Sequence, residues 1–63
     1  MKNFEAAQAI LANDITLENI KQLAALQAQA TGQEAEMIAG LWEGVYAAAS
    51  EELLRQAYDE GLL

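Results

Sequence analysis

The apolar positions of the C-terminal half keep a helical period as far as Ala49 and then abandon it. At 100° per residue, Met37, Ile38, Leu41, Trp42, Val45, Ala48 and Ala49 share one side, and Glu36, Glu43 and Ser50 lie opposite. Beyond residue 50 an unbroken helix would bring Glu52, Arg55 and Asp59 onto that apolar side and carry Leu54 and Tyr58 off it. The stripe turns by roughly 150°. A break at Ala49–Ser50 resolves the conflict. Ser50 is then an N-cap, and Glu51 and Glu52 stand in a first turn where the helix dipole favours negative charge.

The chain has no proline, so its other boundaries rest on glycine and polar caps. A first helix is expected over about 4–12, capped by Asn3, with Phe4, Ala7, Ile10 and Leu11 inward. Asn13, Asp14 and Ile15 form a connection. A second helix over about 17–30 starts from Asp14 or Thr16 and turns Leu17, Ile20, Leu23, Ala24 and Leu26 inward. Gln27 falls on that apolar side, which implies a buried amide with a hydrogen-bond partner. Thr31 and Glu34 have capping-box spacing, and Gly32 between them can adopt the left-handed conformation, so a tight joint is expected there. The third and fourth helices are expected over about 33–48 and 51–60, with Leu53, Leu54, Ala57 and Tyr58 buried in the fourth. Gly61 ends it, and Leu62 and Leu63 fold back. The expected fold is an all-α compact bundle of three to four short helices in a single domain, residues 1–63.

Size sharpens that expectation. A chain of 63 residues buries only about 60% of the surface it exposes unfolded. It has no cysteine for disulfides or thiolate metal clusters. Well-packed helices, self-association or a partner must hold it together.

The same absences bound function. Without histidine or cysteine, the commonest general base, metal ligand and thiol nucleophile are missing. Thr16, Thr31 and Ser50 read as caps, and no Gly-Lys-Ser/Thr phosphate loop occurs. No calcium-loop spacing is present, and carboxylate catalysis needs a cleft that so small a domain rarely has. The expectation is therefore no enzyme, no cofactor and no metal. Three basic residues, Lys2, Lys21 and Arg55, against a net charge of −7 argue against nucleic acid or an anionic membrane as partner. The charge is uneven: −1 over residues 1–31 and −6 over residues 32–63. With no signal peptide in its first residues and no apolar stretch long enough to span a bilayer, the chain is expected to be cytoplasmic.

Two groups of residues could touch a partner. Gly40 and Gly44, four apart with Ala47 and Ala48 beyond, make a smooth strip on the third helix. Each glycine costs roughly 1 kcal/mol relative to alanine, so something should offset it. The strip either lets helix one or two pack tightly within the monomer, which is the simpler reading, or serves as a contact surface. Trp42 and Tyr46 stand at one edge of the apolar side, as core residues or as interface aromatics. The leading expectation is a non-catalytic protein–protein interaction module, self-associating, with a homodimer as its simplest form or with a basic or neutral protein as partner. Its working surface would be Gly40, Trp42, Gly44 and Tyr46. The rival is a small acidic inhibitor or decoy, of the kind phages and mobile elements use. It would present Glu36, Glu43, Glu51 and Glu52 to a basic nucleic-acid-handling protein.

Overall fold

Among the described residues, four α-helices form close to where the caps and apolar periods place them: α1 (Lys2–Leu11), α2 (Leu17–Gln29), α3 (Gly32–Ala48) and α4 (Glu51–Asp59). The computed structural model describes residues 1–12 and 14–63. Asn13, expected in the first connection, lies outside the described residues. The fold is all-α, with no strand among the described residues. α1 packs on both α2 and α3, α2 packs on α3, and α4 packs on α2. The Cα radius of gyration is 11.0 Å, close to the roughly 10.6 Å of a compact chain of this length.

The turn between α3 and α4 follows from the change of apolar side. Ala49 leaves the helix with φ −77° and ψ 148°, and the Ser50 hydroxyl accepts the Leu53 N–H as the N-cap of α4 at 3.1 Å. The far end of α4 closes as a Schellman motif. Gly61, at φ 77°, donates to the Tyr58 carbonyl, and Leu62 donates to the Ala57 carbonyl. Leu62 thereby folds back against the core. At the start of α2, the Thr16 hydroxyl accepts from the Asn19 N–H at 3.1 Å.

Ile20, Leu23, Ile38 and Val45 are fully buried and fill most of the core. Ala7, Ala30 and Ala57 are also buried and let the helices approach closely. The expected burial needs correction in places, and Leu53 and Leu54 are only partly buried. Tyr58 is 71% exposed. On α4 the small Ala57 takes the buried position, and Tyr58 stands roughly 100° further round the helix. Ala48 is exposed as well. The inner face of α3 centres on Ile38, Trp42 and Val45, which leaves Ala48 at its margin.

The first turn of α3 holds an unexpected contact. Thr31 occupies the N-cap position, with φ −134° and ψ 159°, but its side chain makes no cap bond. Nor does Glu34 complete a capping box with it. The Glu34 carboxylate reaches across to α1, where Oε2 accepts the backbone N–H groups of Asn3 at 3.0 Å and Phe4 at 3.2 Å. Its Oε1 accepts Asn3 Nδ2 at 3.2 Å. Asn3 is thus not the cap of α1. It lies inside a helix whose N-cap position is Met1, without a side-chain cap bond. A carboxylate some thirty residues away satisfies two of the free donors of that helix end, where its charge also suits the dipole.

Replacing Glu34 with alanine should therefore lower unfolding stability by about 1–2 kcal/mol. Thr31→Ala should cost only a few tenths. Urea unfolding of the two variants checks this, and equal losses would contradict the cross-helix cap.

Candidate functional site

The candidate contact residues all belong to α3, and the rotation of that helix decides what each can touch. With Ile38, Trp42 and Val45 inward, Gly40 and Gly44 face out. Both are exposed, and a Cβ built on either would meet nothing within 4 Å. No neighbouring helix uses the space they leave. Tight packing within the monomer is therefore not the reason for these glycines.

The two glycines form part of a groove of about 440 Å³ that also includes Leu11, Ile15, Leu41 and Ala48. Its one ionisable lining residue is Glu43. Leu11 and Ile15 come from the end of α1 and the connection after it, a juxtaposition that the period of α3 alone does not reveal. Both are partly buried against the core and border the outer face of α3.

Trp42 and Tyr46 lie on the other side of α3. Trp42 follows Gly40 by two residues, a rotation of roughly 200°. It is only 8% exposed, and its Nε1–H donates to Gln27 Oε1 at 2.6 Å. The amide on the apolar side of α2 is thus satisfied by the indole. The bond ties α3 to α2 and fixes how α3 is turned. Tyr46 is 50% exposed, with its ring centroid 6.3 Å from that of Trp42 and the planes tilted by 36°.

These aromatics border a second groove, of about 610 Å³, between α2 and α3. Ala24, Ala28 and Ala39 make it shallow, and Leu62 and Leu63 line it from the tail. The four candidate residues thus separate into two grooves, with the glycines in one and the aromatics in the other. The tail leucines belong to the second, a role signalled in the sequence only by Gly61, which folds the tail back.

Glu36, Glu43, Glu51 and Glu52 are all exposed. Glu36 and Glu43 stand on the outer side of α3, and Glu51 and Glu52 stand in the first turn of α4. They belong to two helices separated by the turn at Ala49–Ser50. The ion pair among the described residues is Lys21–Glu60 at 3.2 Å, half exposed at both ends, and an exposed pair of this kind contributes little stability. Glu51 and Arg55, four apart on α4, form no ion pair among the described residues.

No group of three or more acidic side chains among the described residues converges where it could hold a metal ion. Among the same residues, no helix is long and apolar enough to cross a membrane. No family model, curated protein or solved structure matches this chain.

Because a Cβ has room at both glycines, Gly40→Ala and Gly44→Ala should each raise stability by about 0.5–1 kcal/mol through helix propensity. Thermal unfolding of the two single variants measures it. A loss of stability in either would mean that the space is filled within the monomer after all.

Proposed function

We propose that this chain is a non-catalytic protein–protein interaction module that receives an apolar helix of a basic or neutral protein in the groove over Gly40 and Gly44. The observation that carries this reading is the open space over both glycines. Two helix-interior glycines cost about 2 kcal/mol together relative to alanine, and no contact among the described residues offsets that. A docked helix could approach the bare backbone closely, as small residues at four-residue spacing allow. Leu11, Ile15 and Leu41 would supply its apolar contacts.

Charge favours a basic partner. Glu43 lines the groove and Glu36 stands seven residues before it on the same side of α3. The C-terminal half carries most of the net charge of −7. Cationic side chains flanking the apolar face of the partner would meet these carboxylates, which speeds encounter and selects against acidic partners. The acidic-decoy reading shares the carboxylates but needs no groove, and it would enlist Glu51 and Glu52 as well.

A designed amphipathic helical peptide of leucine and lysine serves as probe, with a leucine–glutamate peptide as control. The lysine peptide should bind, with affinity falling as salt rises. The double variant Gly40→Leu/Gly44→Leu should weaken that binding at least about tenfold, equivalent to about 1.4 kcal/mol, while the helical circular dichroism is unchanged. Equal binding by the double variant, with loss only on Glu36→Gln/Glu43→Gln, would overturn groove docking and favour the charge-only decoy.

A further inference from the structure

We propose that α4 and the tail behind it form a strap that undocks from the other three helices as a unit, with the Lys21–Glu60 ion pair as its catch. α1 packs on two helices and is tied down by the carboxylate of Glu34. α4 packs on α2. Its one fully buried side chain is the single methyl group of Ala57, and Leu53 and Leu54 are only partly buried. By contrast α2 buries Ile20 and Leu23, and α3 buries Ile38, Trp42 and Val45. Apolar burial therefore holds α4 less firmly than it holds either of those helices.

The hydrogen bonds of α4 are its own. The Ser50 hydroxyl caps its start, and the bonds from Gly61 and Leu62 close its end. Apart from the ion pair, no polar contact among the described residues joins α4 to another helix. Undocking thus leaves the hydrogen bonds of α1, α2 and α3 in place. Ala49 and Ser50, both extended, supply a hinge of the kind that absorbs such a movement in a few residues at the end of an element.

Charge works against docking. Residues 51–63 carry a net charge of −3 and residues 1–50 a net charge of −4, so strap and body repel. Lys21 of α2 opposes this, with its Nζ 3.2 Å from Glu60 Oε1. Glu60 immediately precedes Gly61, where the chain turns back, and Leu62 and Leu63 then line the groove beside Trp42. Opening the strap removes that wall of the groove and uncovers the part of α2 beneath α4. It leaves the glycine groove whole, because no residue of α4 lines it. The inference is therefore independent of helix docking over the glycines.

Hydrogen exchange of the full chain, followed amide by amide by NMR, tests the proposal. A helix of nine residues is marginal on its own in water, so the undocked strap melts and its amides exchange. The amides from Leu54 to Leu62 should share one protection factor, at least about tenfold below that of the slowest amides in α2 and α3. Glu34→Ala weakens a contact that the open state keeps, so it should lower protection in α2 and α3 and leave the strap unchanged. Lys21→Glu should lower protection in the strap by about twofold to fivefold, and the swap Lys21→Glu/Glu60→Lys should restore it. Any of four results would overturn the proposal. Strap amides could exchange no faster than the core amides, or show protection graded residue by residue from Leu54 to Leu62, as fraying gives. They could fall with Glu34→Ala as far as the core amides do, or fail to respond to Lys21→Glu.

Discussion

The hydrogen bond from Trp42 to Gln27 fixes the rotation of α3, and most of the molecule follows from that rotation. α3 contacts both α1 and α2, so its inward side chains must serve two neighbours at once. Ile38, Trp42 and Val45 do this, against Ile20 and Leu23 of α2. A core this small has few large side chains to spare, and each fully buried Ile, Leu or Val contributes about 1.5–3 kcal/mol. Turning α3 would expose several of them together and strand the Gln27 amide. With the inward face fixed, Gly40 and Gly44 are committed to the outside and Tyr46 to the margin.

Much of this was legible in the sequence because the signals are local. The caps at Thr16 and Ser50 are spelled out by a hydroxyl three residues ahead of the amide that each accepts. The break after Ala49 is visible as a change of apolar side, and Gly61 marks the end of α4 before the chain folds back. Gln27 on an apolar face implied a partner, and the partner is the indole of Trp42. The features that were not legible depend on what lies across a helix–helix contact. Glu34 has the spacing of a capping box, but the amides of Asn3 and Phe4 offer it more donors, and no local rule brings α1 to that spot. Tyr58 looked buried because its period matches Leu54. The close approach of α4 at the small Ala57 leaves the tyrosine outside.

The candidate site divides along the same line. Periodicity puts the glycines and the aromatics on different sides of α3, so their separation follows from the sequence. Whether the strip of small residues faces a neighbour depends on tertiary packing alone, and the space over both glycines is open. The result is one helix with two outward margins of different character. One is floored by glycine and edged by carboxylate. The other is aromatic and shallow, with no Asp, Glu, Lys or Arg in its lining.

The outward setting of the glycines can be measured directly because the chain has no cysteine of its own. A single cysteine is introduced as Gly40→Cys, Gly44→Cys or, as a buried control, Val45→Cys, and the rate of thiol labelling is followed in dilute, folded protein. Labelling at positions 40 and 44 at nearly the rate of an unfolded peptide, with strong protection at position 45, is the expected result. Protection of positions 40 and 44 comparable to that of position 45, in a chain that is monomeric and folded, would contradict the rotation of α3 and the contact surface built on it.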